Sequence, residues 1–509
     1  MRGLLLLLAT LVSSVLYGLS FPPAALRPLA WVALVPLLVA LRLARSAAAA
    51  LFLAWVWTVV MAYVVGDWFP RAVSAYYEQP FLVGLGLFFG VSTFMAAAEY
   101  MAFAVAYRSL AVRPSVMLPL AAAAAWVAAE FGRVELLTGN PWALAGYSQV
   151  GIAPMVQIAD VAGVYGVTFT LLVVNASLAE LWLARRAGQA RRRALAGLGL
   201  AAGTVALVVG YGLTRLAWPP GPAPAARAVP IAIVQGNLDL GAQWRPELYG
   251  ENLDIYLRLT YQALRERKPS LVFWPESAMT FFLDEEPLYR KAIARVVSAP
   301  GVQLIAGGPR ETDSRPPAYY NSAFLLTQDG TIVASYDKQR LLPFAEYFPL
   351  GGLDLLRRRF ARVREFTPGA PAPPLPTAAG AAGVTICNEA MFPDTSAARV
   401  RAGAEYLVNL ANDTWVGDRK FAAIVFDTVT LRAVEQRRYL VRASTSGPSG
   451  IIDPLGRVVA ATLPDTRGTL SGTVKPGGTR TFYCRVGDLF AVLCTGAAAL
   501  GLIRRGRRE

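Results

Sequence analysis

Over the first 217 positions apolar residues gather into long runs, at 4–20, 28–42, 47–65, 81–107, 115–130, 162–184 and 195–216, and one more lies near the chain's end at 487–503. Runs of this length match the hydrocarbon core of a bilayer, so the pattern predicts seven membrane-spanning helices before a large polar region and an eighth after it. The first run also has the length of a signal peptide. No small-residue cleavage pattern precedes Phe21-Pro22-Pro23, however, and further runs follow, so it reads as an anchor. The Pro/Gly-rich stretch from Pro219 to Pro224 ends the seventh run. Beyond it the period changes. Short β-type runs (Ile231 to Val234, Leu271 to Trp274, Val302 to Ala306, Val384 to Ile386, Tyr406 to Asn409, Tyr439 to Ala443) alternate with helical stretches at 246–267, 286–298 and 420–437. That alternation predicts an α/β domain. The expected organisation is a polytopic helical membrane domain over 1–217, an α/β domain over 228–475 and a last membrane helix over 487–503.

Composition agrees with a membrane protein that carries a large polar domain: 509 residues, mean hydropathy +0.42, 55% hydrophobic and 16% charged. The net charge of +15 would suit a nucleic-acid binder, but the arginines flank the apolar runs, and no nucleic-acid partner is expected. Arg2, Arg42 with Arg45, Arg108 with Arg113, Arg185 to Arg193, and the tail from Arg504 to Arg508 alternate with loops holding only Arg27, Arg71 or Arg133. Basic loops stay cytoplasmic, so both termini are expected inside and the polar domain on the opposite face of the membrane. Histidine is absent altogether, which removes the usual general base and the commonest metal ligand. Three cysteines (Cys387, Cys484, Cys494) make no disulfide framework. Glu99 and Glu130 lie in or at the ends of apolar runs, and they read either as functional intramembrane carboxylates or as solvated end-caps.

Three places in the polar domain carry chemistry. Val384, Thr385 and Ile386 deliver Cys387 to the end of a strand, where α/β folds expose reactive groups; a thiol there is either an acyl-carrying nucleophile or a small buried hydrophobe. Leu271-Val272-Phe273-Trp274-Pro275 ends in Glu276, which either faces a cleft at the sheet's carboxyl edge or caps a turn. Tyr336 to Pro349 sets Lys338 and Glu346 among apolar residues. With only five lysines among 49 basic residues, the choice of Lys at 338 suits a compact ammonium meeting a developing oxyanion, although a surface loop lysine would look the same. Leu353 to Phe366 is an Arg-rich amphipathic piece with Leu355, Leu356 and Phe360, followed by a Pro/Ala-rich connector. It reads as a solvated surface helix or as an arm that dips into lipid.

Together, in chain order, Glu276, Lys338 and Cys387 resemble the triad of the nitrilase (carbon–nitrogen hydrolase) superfamily, and Cys387-Asn388-Glu389 with Phe392-Pro393 resembles its thiol motif, with Asn388 where an aromatic is usual. With the apolar runs the resemblance narrows to the apolipoprotein N-acyltransferase family. It is carried by Phe21-Pro22-Pro23, Gly139-Asn140-Pro141-Trp142, Gly146-Tyr147-Ser148-Gln149, Gly163-Val164-Tyr165-Gly166, Val234-Gln235-Gly236-Asn237, Asn409 to Gly417 and Ser446 to Pro454. Arg340 stands where that family often has His, and Ala345 where it has Gly. The resemblance implies a nitrilase-like α-β-β-α sandwich on eight transmembrane helices in a bacterial inner membrane, with the catalytic domain in the periplasm. It also implies transfer of an acyl chain from a phospholipid, through a thioester on Cys387, to the amine of a diacylglyceryl apolipoprotein. Glu276 would be the base, Lys338 the oxyanion partner and Glu346 a support. Trp244, Glu389 and Trp415 would lie near the substrate entrance. Neither metal nor soluble cofactor is implied, and a monomer is expected. A membrane-tethered amidase would use the same triad with water as acceptor, whereas a receptor or transporter would leave the triad unexplained.

Overall fold

The structure is a computed structural model that describes residues 1–186, 191–219, 227–238, 245–298, 301–327, 329–348 and 365–506. The chain forms two compact units. One comprises Met1–Arg71, Pro80–Pro219 and Val486–Glu509; the other comprises Ala72–Gln79 and Pro220–Arg485.

The first unit is helical. Among the described residues five helices are long and apolar enough to cross a membrane: Arg2–Leu19, Ala47–Gly66, Phe81–Leu110, Ala159–Arg186 and Arg192–Ala217. The eight-span expectation is therefore met only in part. The run at 28–42 is not one helix but a short turn, Arg27–Trp31, and the nine-residue helix Val35–Leu43, each with proline in its first turn. At 1.5 Å per residue such a helix covers about half of the hydrocarbon core. The run at 115–130 becomes Leu118–Glu135, which carries Glu130, Arg133 and Glu135, and the last run contributes a shorter apolar helix, Leu489–Arg504.

The two intramembrane carboxylates part company. Glu130 is fully buried and accepts from Trp126 Nε1 (3.0 Å), Ala145 N (2.8 Å) and Thr168 Oγ1 (2.9 Å), which rules out a solvated end-cap. Buried polar groups persist where they are hydrogen-bonded, and here the carboxylate ties the segment after Leu136 to two helices. Arg133 beside it donates to Tyr100 OH (2.7 Å) and Asn140 O (3.1 Å). Glu99 is only partly buried.

The second unit is built on two six-stranded sheets. In chain order the strands are β1 Val229–Gln235, β2 Leu271–Phe273, β3 Gln303–Glu311, β4 Tyr319–Leu326, β5 Ile332–Asp337, β6 Leu375–Thr377, β7 Gly380–Ile386, β8 Tyr406–Ala411, β9 Leu440–Ser444, β10 Gly450–Ile452, β11 Val458–Ala461 and β12 Gly468–Val474. The sheets run β12-β1-β2-β3-β4-β5 and β11-β10-β9-β8-β7-β6. Within them β1, β2 and β3 are mutually parallel, as are β7, β8 and β9. Parallel strands buried on both faces read as continuous apolar runs. Ile231, Phe273 and Ile305 of one sheet meet Val384, Val408 and Val441 of the other in a shared core. The outer face of the first sheet packs Ala232, Val272 and Leu304 against Tyr256 and Ile293 of helices Tyr249–Arg267 and Pro287–Ser298. The second sheet is covered by helices Pro393–Arg401 and Arg419–Gln436. The six strands read from hydrophobic runs are all present. Of the other six, β4, β6, β10 and β12 pair antiparallel with these, β5 and β11 pair antiparallel with β4 and β10, and several are half exposed.

Residues Ala72–Gln79 also belong to this unit. Tyr77 donates its hydroxyl to Phe344 O (2.6 Å), and the Tyr76 ring lies 6.0 Å from that of Trp415.

Candidate active site

Strands of both sheets carry the site residues at their carboxyl ends. Cys387 follows β7 directly, Lys338 follows β5, and Glu276 lies three residues beyond the last residue of β2. Ligand and catalytic groups of parallel sheets collect at such carboxyl edges. Glu276, Lys338 and Glu346 are 6%, 1% and 7% exposed, so the turn-cap and surface-loop readings do not hold. Lys338 Nζ lies 2.7 Å from Glu346 Oε2 and 3.8 Å from Glu276 Oε1. The Cys387 thiol and the Glu276 carboxylate lie near enough for each to shift the other's proton affinity. Cys387 has φ +53°, a left-handed conformation uncommon for a residue with a Cβ, and such strain gathers where a side chain must be aimed. Asn388 follows in the first turn of the short helix Cys387–Met391, whose leading N–H groups have no partner within the helix.

Asn321 on β4 escaped the sequence reading because its strand did. Its amide nitrogen donates to Glu276 Oε1 (2.7 Å) and to Glu346 Oε1 (2.8 Å), bridging the two carboxylates. Asn412 N completes Glu276 by donating to Oε2 (2.8 Å), and Leu342 N donates to Glu346 Oε2 (2.7 Å).

Charge distribution follows from this packing. Burial raises the pKa of Glu276, Lys338 pulls it down, and Glu346 pushes it up again; the balance is upward. For Lys338 burial acts downward, but Glu346 and Glu276 outweigh it, so the ammonium is held more tightly than usual. Burial and then the Glu276 charge raise the Cys387 thiol. The resting pair is therefore a protonated thiol beside a carboxylate with raised proton affinity, which is the starting state for general-base activation.

The candidates near the entrance separate. Glu389 is fully buried and accepts from Tyr336 OH (3.0 Å), Gln339 N (2.7 Å), Arg340 N (3.0 Å) and Ile386 N (2.8 Å). Its bonds serve its own chain: it ties the residues after Lys338 to the strand end before Cys387. Trp415 is half-buried against Tyr76 and Phe421. Trp244 and the segment with Leu355, Leu356 and Phe360 lie outside the described residues. Arg340 adds a second tie by donating to Asp394 Oδ2 (2.6 Å), with its guanidinium 4.3 Å from the Phe392 ring centroid. Among the described residues no three metal-ligating side chains converge.

Sequence comparison places this geometry. A model of the apolipoprotein N-acyltransferase N-terminal domain matches residues 13–177, and a carbon–nitrogen hydrolase model matches residues 230–483. An apolipoprotein N-acyltransferase of Geobacter metallireducens is 34% identical over 99% of this chain and 95% of its own. The chain belongs to the apolipoprotein N-acyltransferase family. A second apolipoprotein N-acyltransferase, from Gloeobacter violaceus, is 31% identical over 100% of this chain and 97% of its own. Among solved structures the C. elegans NitFhit protein aligns with 52% of this chain and 64% of its own at 19% identity and a TM-score of 0.38. Like the apolipoprotein N-acyltransferases, the chain is an acyltransferase enzyme built on a nitrilase-like fold with two sheets.

Proposed function

We propose that this enzyme moves a fatty acyl chain from the sn-1 position of a phospholipid to the N-terminal amine of a diacylglyceryl-cysteine apolipoprotein, the last step of bacterial lipoprotein maturation. Cys387 attacks the ester carbonyl while Glu276 takes the thiol proton, and Lys338 with the main-chain N–H groups after Cys387 stabilises the oxyanion. The ester C–O bond breaks, the alkoxide of the lysophospholipid receives the proton from Glu276, and the acyl chain remains as a thioester. The lipoprotein amine then attacks the thioester. Glu276 accepts its proton, and the released thiolate regains one. Glu346 holds Lys338, Glu389 positions the two catalytic stretches, and Trp415 borders the entrance.

The observation that supports this most is that Lys338 stands 3.8 Å from Glu276 while Cys387, at the end of a strand of the facing sheet, is near enough to share their electrostatics. The apolar helices of the first unit supply a reason for a lipid donor. We place the second unit in the periplasm of a bacterial inner membrane, with eight membrane segments, cytoplasmic termini and a monomeric enzyme. The domains proposed are 1–217, 228–475 and 487–503. Mass analysis of the intact protein after incubation with phospholipid tests the reading. An acyl adduct on the wild type that is absent from Cys387→Ala is expected; no adduct, with turnover of small amides instead, would favour an amidase.

A further inference from the structure

Beneath the catalytic edge runs a buried polar network that the roles above leave unused. Thr385, Asn409 and Arg442 stand in register across the parallel strands β7, β8 and β9. Arg442 is wholly enclosed: its Nη1 donates to Asn409 Oδ1, and its Nη2 donates to Asp413 Oδ1 (3.1 Å) and Oδ2 (2.9 Å). Asn409 passes this on by donating from Nδ2 to the carbonyl of Cys387 (3.2 Å) and to Thr385 Oγ1 (3.4 Å). Asp413 also accepts from Ser444 Oγ (2.6 Å) and follows Asn412, the residue whose N–H donates to Glu276 Oε2. The chain closes so tightly on Asp413 that a Cβ at Gly447 would lie 1.9 Å from Oδ2. One guanidinium thus has two arms. One reaches the nucleophile's own peptide group, and the other reaches the turn that aims an N–H at Glu276. A buried ion pair is weak evidence for stability, since apolar residues of similar volume commonly do as well, so its directional bonds must account for it.

We infer that Arg442 is a positioning residue of the acyl-transfer centre, setting the Cys387 peptide through Asn409 and the Asn412 N–H on Glu276 through Asp413. The inference rests on the roles proposed for Cys387 and Glu276. Full-length enzyme in detergent is alkylated with iodoacetamide across a pH range, and acyl-enzyme formation from phospholipid is followed by mass. Arg442→Lys keeps the charge but cannot serve both arms. Alkylation is expected to slow about ten- to a hundred-fold, kcat for acylation to fall without a change in KM, and the acid limb to move to higher pH, because a backbone N–H favours the charged carboxylate. Asn409→Leu cuts only the first arm, so it slows alkylation and leaves the limb in place. The other groups around Glu276 are Lys338 and Glu346 from the stretch after β5, Asn321 from β4 and Cys387 from the end of β7; all are intact in both variants. Wild-type alkylation with an unmoved limb in Arg442→Lys would overturn the inference. If that variant does not fold, Ser444→Ala loosens Asp413 instead, and an unmoved limb there has the same force. Alkylation needs no lipid, so failure of the proposed roles shows separately, as an acyl adduct that persists in Cys387→Ala.

Discussion

At the scale of single residues, the site is two carboxylates sharing one ammonium. Glu276 must be ionised to accept a proton, and its pKa is raised by burial and by Glu346. Acylation should therefore fall as pH drops through a value above the ordinary carboxylate range of about 4. Glu346→Gln removes the charge that pushes Glu276 up, so the acid limb of the pH–rate profile should move to lower pH; movement the other way would sink this electrostatic account. The linkage has the same sign. The folded state holds the Glu276 proton more tightly than the unfolded chain, so this group favours folding at low pH, and the contribution is lost as pH rises through the raised value. Glu276→Gln keeps shape but not basicity and should slow thioester formation about 10²–10⁴-fold in a quenched time course. Of these residues, Glu276 and Cys387 stood out in the sequence because they end apolar strand runs, and Lys338 and Glu346 because they are charges set among apolar and aromatic residues. Asn321 and Arg442 were not, since a polar residue inside a strand gains meaning only from what the neighbouring strand holds opposite it.

At the scale of elements, the catalytic edge depends on how turns are tied to strands. Glu389 satisfies main-chain N–H groups of Gln339, Arg340 and Ile386 on both sides of the site. A glutamine offers one oxygen where the carboxylate offered two, so Glu389→Gln should leave at least one buried N–H unpaired. The expected cost is about 1–3 kcal/mol, seen as a lowered midpoint of thermal unfolding; an unchanged midpoint would return Glu389 to the entrance role. On β3, a Cβ at Gly307 would lie 2.6 Å from Pro275 O and 2.7 Å from Glu276 Cα. Gly307→Ala should therefore displace the Glu276 turn and slow acyl-enzyme formation on the order of 10²-fold while lipid binding persists. Fully buried parallel strands announced themselves as apolar runs. Half-exposed antiparallel ones such as β5 and β11 did not, because their stability comes from pairing with β4 and β10 rather than from their own pattern.

At the scale of the whole molecule, the arginine alternation proposes cytoplasmic termini and a periplasmic second unit. Reporter fusions after residues 230 and 509 should then report opposite sides, and the same side for both would reject that topology. By itself the sequence determined that there are membrane-length apolar helices and an α/β domain, because hydrophobic periodicity and run length are local properties of the chain. It also carried the family, through motifs spread from Phe21 to Pro454. The tertiary structure decided what depends on groups distant in sequence. The run at 28–42 breaks where its prolines allow, and Glu130 is enclosed by Ala145 and Thr168. Ala72–Gln79 joins the second unit, and Arg442 stands beneath Cys387 with Asn409 between. Whether a buried polar group is a cost or a positioning device depends on partners far along the chain, and only the fold brings those within hydrogen-bond reach.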